Sequence, residues 1–202
     1  RHWLDLVRVA ETNSFERDGG KPSAWKYRDY VIRSFNDDKP YDQFVREQLA
    51  GDMLPAKSAD TWIATGYVRC NVSTNEGGTI PEEIQFNKTR DRAEAFGATF
   101  LGLTVGCAVC HDHKFDPTAQ KDFYALGAFF NNTAEKPWDE NSAEPNPILK
   151  LPPEAKQAEF DAAIARRSQA DVDYDKRRAE SPRLFKEWLA AGNKPAVVSS
   201  EA

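Results

Sequence analysis

Two of the three cysteines and two of the three histidines in this 202-residue chain fall within the stretch Cys107-Ala108-Val109-Cys110-His111-Asp112-His113. Whatever the fold, it must present that stretch where two thiols and an imidazole act together, because all of them share about one turn of backbone. Side chains three positions apart lie on nearly the same side of a helical turn, and His111 follows the second thiol directly. An odd cysteine count in a chain this long argues against a disulfide framework.

The C-x-x-C-H spacing is that of covalent haem attachment. Cys107 and Cys110 reach the two vinyl groups along one porphyrin edge, and the same anchoring delivers His111 to one face of the iron. The expectation is one haem c per chain, held by Cys107, Cys110 and His111, with His111 as the proximal iron ligand. Two other readings compete. Cys107, Cys110 and His113, completed by Cys70, have the residue types of a structural zinc site, which leaves His111 idle. The C-x-x-C pair also fits a redox disulfide, but that motif belongs beside a βαβ pattern, which this chain lacks.

Apolar spacing is mainly helical. Trp3, Leu6, Val7 and Ala10 predict a helix over residues 2 to 11, and Asn13 to Pro22 is a loop. Ser23 caps a second helix, ending near Asn36, with Tyr27, Tyr30, Val31 and Phe35 inward. Pro40 opens a third with Phe44, Val45 and Leu49 inward, and Gly51 suits its C-terminal cap. Ser58 starts a shorter helix through Trp62, Ile63 and Tyr67. A loop over residues 70 to 80 precedes Pro81-Glu82-Glu83, a proline and two acids where a helix N-terminus favours them. That helix is predicted to run to about Leu103 with Ile84, Ala93, Phe96 and Phe100 inward. Thr118 to Phe130 is helical again, and Glu135 to Pro153 reads as a linker. Residues 154 to 191 are charged and helical, broken by Pro182 into a protruding hairpin.

The fold class is therefore mostly α: an irregular helical domain around one covalently attached haem over residues 1 to 150, with a charged helical extension or hairpin over 151 to 202. Net charge is −5 without a dense basic cluster, so nucleic acid is not an expected partner. No apolar run approaches the roughly 20 residues that span a bilayer, and no membrane insertion is expected within this segment. The opening residues read as the middle of a helix, which marks the chain as a fragment of a longer protein.

The stretch around the motif resembles the haem segment of the planctomycete-type cytochrome c domain proteins. The matching residues are Gly102-Leu103-Thr104-Val105-Gly106-Cys107, then Cys110 through Pro117, then Gln120-Lys121-Asp122-Phe123-Tyr124, Leu126 and Ala128-Phe129-Phe130. Arg1-His2-Trp3-Leu4-Asp5-Leu6 resembles that family's N-terminal helix, and Gln48 through Pro55 a third block. The likeness spans about residues 1 to 133 and implies haem, export and a larger multidomain parent chain, without implying a reaction. With the haem motif it implies a periplasmic or otherwise extracytoplasmic site.

What faces His111 across the iron decides the chemistry. His2 and Met53, the single methionine, are the candidate distal ligands, and an open face is the third possibility. The resemblance favours His2, which belongs to the matched helix. His113 is too near His111 to cross the haem and is expected to bond a propionate or the loop backbone. Phe96, Phe100, Leu103, Val105, Phe115, Phe123 and Tyr124 either wall the cofactor or form ordinary core. Gly102 and Gly106 remove bulk where a porphyrin would lie close to backbone. Arg90 and Arg92 are propionate partners or solvated surface residues. Asp112, Asp116 and the loop carrying Glu76 match no Ca²⁺-loop pattern.

A six-coordinate iron makes the domain an electron carrier whose partner is a redox protein or a neighbouring domain of the parent chain. An open distal face makes it a haem enzyme acting on peroxide, oxygen or another small oxidant. A third class is a binding module with structural zinc or haem, in which Trp25, Trp62 or Trp138 stack on a sugar.

Overall fold

Short amphipathic segments separated by Pro, Gly and Asn-rich turns fold into helices that bury one face each. The computed structural model describes residues 1–12, 18–74, 78–138 and 142–193. Among them there are seven α-helices and no strand, with one isolated bridge between Thr12 and Gly20. The chain divides into two units, Arg1–Leu149 and Lys150–Ala202.

Helix α1, His2–Leu6, is shorter than its apolar stripe predicts. It stops because Arg8 takes a left-handed conformation with φ of 61°. The Arg8 amide then reaches Asp5 O at 3.2 Å and the Val9 amide reaches Leu4 O at 3.0 Å, a Schellman ending with arginine where glycine is usual. The Arg8 guanidinium holds Asp91 through two bonds of 2.5 and 2.9 Å.

Helices α2 (Ala24–Asn36), α3 (Tyr41–Ala50) and α4 (Ala59–Ala64), followed by the 3₁₀ turn Thr65–Arg69, enclose the first core cluster. Its buried members are Val7, Tyr27, Tyr30, Val31, Phe44, Ala64 and Tyr67. Phe35, predicted inward, is 60% exposed. On α3 the fully buried side chain is Gln48, which the apolar pattern passes over. Its Oε1 accepts from Tyr27 Oη at 2.5 Å and Trp3 Nε1 at 3.3 Å, while Nε2 donates to Phe44 O at 3.1 Å. Ser23 does not cap α2 with its side chain, which bonds Glu144 instead. Ser58 does cap α4, exchanging bonds of 3.2 and 3.0 Å with Thr61. Gly51 has φ of −58° and makes no left-handed cap. It is glycine because a Cβ there would collide with the carbonyl oxygens of Thr61 and Glu47.

Helix α5 (Pro81–Phe96) passes into a π turn, Gly97–Leu101, which Gly102 closes at φ of 65°. That wider turn separates two aromatic residues that simple helical spacing puts on one side. Phe96 packs with the second cluster and Phe100 with the first, and the rings touch at 5.4 Å. The second cluster comprises Ala93, Val105, Ala108, Val109, Phe123 and Phe130. It closes around the 3₁₀ turn Val105–Val109 and helix α6, Gln120–Gly127.

In the second unit the helix continues through Pro182 as a single α7, Gln157–Ala190, so the hairpin is corrected to one helix. Proline at 182 supplies no N–H to the Arg178 carbonyl. The Ser181 hydroxyl donates to that carbonyl at 2.8 Å and takes up the orphaned acceptor.

Candidate functional site

The C-x-x-C-H segment lies along α5. A Cβ on Gly97 would meet Val105, and a Cβ on Gly106 would come 2.9 Å from the Glu94 carboxyl carbon. Cys107 lies within the 3₁₀ turn Val105–Val109 and Cys110 directly follows it, its amide on the Cys107 carbonyl at 3.4 Å. The intervening Ala108 and Val109 point into the second cluster and are buried. The result is one apolar side facing inward and two free, exposed thiols facing outward.

His111 is also exposed. Its Nδ1 lies 2.8 Å from the Asp112 carbonyl oxygen. A carbonyl only accepts, so Nδ1 carries the proton and Nε2 keeps its lone pair. That is the arrangement of a metal-ligating imidazole, whose second nitrogen usually donates to a carbonyl or carboxylate. The donor set of Cys107, Cys110 and His111 has the chemistry that covalent haem needs: two accessible thiols, and an imidazole whose Nδ1 is already engaged.

Helix α6 fixes this turn. Gln120 Nε2 and Tyr124 Oη donate to Val109 O at 3.0 and 3.1 Å, and the Gln120 amide donates to Asp112 Oδ1 at 2.8 Å. The aromatic pattern puts Tyr124 among the cofactor walls and offers Gln120 no role; no spacing rule signals a side chain that reaches back to a carbonyl. Among the other wall candidates, Phe123 and Val105 are core, whereas Phe115 is 83% exposed.

His113 has a different use. Its Nδ1 accepts the amides of Phe115 and Asp116 at 3.2 and 2.7 Å, and Nε2 faces Thr104 Oγ1 at 3.3 Å and Asp116 Oδ2 at 3.7 Å. Both nitrogens are engaged in holding the loop, which leaves none for zinc. Cys70, the fourth ligand that site needs, packs against the first cluster with Sγ on Gly66 O at 3.4 Å. Burial pushes its thiol up to about 11. Among the described residues no three His, Cys, Asp or Glu side chains group to hold a metal ion, and Glu76 lies outside them.

Arg92 is neither solvated nor a surface group. It is buried, donating to Val68 O and Asn71 Oδ1 at 2.9 Å each and pairing with Glu135. Arg90 stays exposed and pairs with Glu94 at 2.7 Å; that hydrogen bond, more than any other influence, raises its guanidinium pKa.

Of the distal candidates, His2 is exposed at the start of α1, and Met53 is 79% exposed beyond α3. Helix α1 is tied to the segment leading into the motif, because Trp3 meets Phe100 at 5.8 Å and Arg8 grips Asp91 on α5. Trp25 is exposed on α2, and Trp62 on α4 is half-buried under Lys57. No helix among the described residues is long and apolar enough to cross a membrane.

Fold and site together define a helical domain with an exposed thiol pair and a ligand-ready imidazole on one short turn. The chain belongs to the PSCyt2 family, described as "protein of unknown function (DUF1549)", whose profile matches residues 1–135. No curated protein and no solved structure matches it.

Proposed function

We propose that residues 1 to 150 form a c-type cytochrome domain that binds one haem covalently and carries electrons. The observation that carries this reading is the pairing of two exposed thiols, one in the 3₁₀ turn Val105–Val109 and one directly after it, with an imidazole whose Nδ1–H is already bonded to Asp112 O. Cys107 and Cys110 would hold the haem through thioether bonds, each formed by addition of a thiol S–H across one vinyl group with no leaving group. His111 Nε2 would ligate its iron, and of the remaining residues His2 would be the preferred second ligand with Met53 the alternative. Bound haem supplies a one-electron change at iron. The protein supplies ligation, orientation and a rigid backing of apolar core. Haem c is attached outside the cytoplasmic membrane, so the proposed compartment is periplasmic or otherwise extracytoplasmic. The proposed partner is a redox protein or a neighbouring domain of the parent chain.

Cysteine chemistry gives the test. The chain is produced with a c-type maturation system, run on a denaturing gel, stained for haem and analysed as a pyridine haemochrome. Haem is expected to stay with the chain and to give a c-type α band. Thiol titration of the denatured product is expected to find one reactive group, Cys70, in place of the three in the sequence. Three free thiols and no retained haem overturn the reading. His2→Ala is expected to change the spin state; an unchanged low-spin spectrum removes His2 as ligand. Tight carbon monoxide binding by the reduced, unmutated protein overturns electron carriage in favour of an open distal face.

A further inference from the structure

We propose that Asp112 and Gln120 are positioning residues that set the orientation and donor strength of His111, an inference that rests on the haem reading. Cys110 and His111 are exposed, so burial does not hold them. What holds them is a closed ring of hydrogen bonds to the start of α6. On one side of the pair, Val109 O accepts from Gln120 Nε2 at 3.0 Å and from Tyr124 Oη at 3.1 Å. On the other, Asp112 Oδ1 accepts the Gln120 amide at 2.8 Å. The backbone on both flanks is therefore fixed to one residue, Gln120, through its side chain and its main chain.

The Asp112 carboxylate does more than cap a helix. By fixing its own residue it fixes the carbonyl that receives the His111 Nδ1–H at 2.8 Å. A bond from Nδ1–H to a carbonyl selects the tautomer and makes the opposite nitrogen a stronger donor. A stronger donor favours ferric iron over ferrous and lowers the reduction potential. Loosening the ring weakens that donation and raises the potential.

Two measurements separate this inference from the haem reading beneath it. In the haem-free chain, ¹⁵N chemical shifts of the imidazole report the tautomer without any metal. His111 is expected to be the Nδ1–H form, and Asp112→Ala to move it toward Nε2–H. Nε2–H in the unmutated chain overturns the inference. In the haem-loaded chain, Asp112→Ala and Gln120→Ala are expected to shift the potential upward, while Asp112→Asn, which keeps an acceptor at the same place, returns it toward the starting value. Potentials unchanged in both alanine variants, with haem retained by mass and helicity intact by circular dichroism, also overturn it. If the unmutated chain takes up no haem while its tautomer is Nδ1–H, the haem reading fails and the positioning of the ring stands.

Discussion

His113 is the residue where pattern and structure diverge most, because the sequence alone offers it as a zinc ligand or a propionate partner. In the fold its side chain is 7% exposed, and Nδ1 receives two backbone amides. Nε2, which carries the ring's proton, faces Thr104 and Asp116, so the ring joins the loop before the thiols to the loop after them. Deleting it removes the acceptor of two amides, one part-buried and one open to solvent, and a hydrogen bond of that kind contributes about 0.5–1.5 kcal/mol. His113→Ala is therefore expected to lower the urea midpoint by an amount in that range. His113→Asn is expected to recover much of the loss, because its Oδ1 places an acceptor near the Nδ1 position. Equal destabilisation by Asn and Ala, together with loss of a bound metal, would return His113 to the role of ligand. Cys70 shows the same principle at a thiol. Identical in chemistry to Cys107 and Cys110, it is partly buried and its pKa is pushed up to about 11, so it stays protonated and inert near neutral pH.

At the scale of elements, helix identity was legible and helix ends were less so. The stretches around Tyr27, Phe44, Trp62 and Ala93 are helical as their spacing predicts. Their ends depend on contacts that spacing does not encode. α1 ends early because Arg8, held by Asp91, accepts a left-handed backbone. α5 ends in a π turn that sends Phe96 and Phe100 to different clusters. α7 runs through Pro182 because Ser181 satisfies the carbonyl that proline abandons. At the candidate site the thiol pair and His111 were legible as a motif, whereas Gln120 and Asp112 were not, since their roles exist only once α6 packs on the turn. Gly51 gives the sharpest test of an element boundary. Read as a cap needing positive φ, alanine there would cost about 1 kcal/mol. Read as a contact between α3 and α4, alanine collides with two backbone oxygens that cannot swing away. Overpacking of that kind costs about 1–3 kcal/mol or more. Gly51→Ala is expected to fall at or above the top of that range in denaturant unfolding, and a loss below 1 kcal/mol would show that the two helices part easily.

Across the whole molecule, the groups with shifted ionisation in the interior belong to the first cluster or pack against it. Burial raises Tyr27 and Tyr30 above the ordinary tyrosine value, pushes Tyr67 up to about 12 and Cys70 up to about 11. At Glu47 burial also pushes upward, but bonds from Lys39, Tyr30 and Gln43 outweigh it and leave the carboxylate below its usual range. The signs give stability two edges. For the phenols and the thiol the unfolded chain loses protons first, at roughly 10 and 8.5. Their contribution is complete below those values and is lost as pH rises toward the folded ones. For Glu47 the unfolded chain binds a proton first, so its contribution is present above about 4.3 and is lost as pH falls toward the lower folded value. The second cluster, around Ala93, Val109 and Phe123, is built from groups that do not titrate. The alkaline edge is therefore expected to depend on the first cluster. In urea melts between about pH 8 and 11 the unmutated chain loses stability steadily, and the combined substitution Tyr67→Phe with Cys70→Ala reduces that loss, Tyr27 and Tyr30 carrying the remainder. A slope unchanged by the pair would move the alkaline edge away from Tyr67 and Cys70.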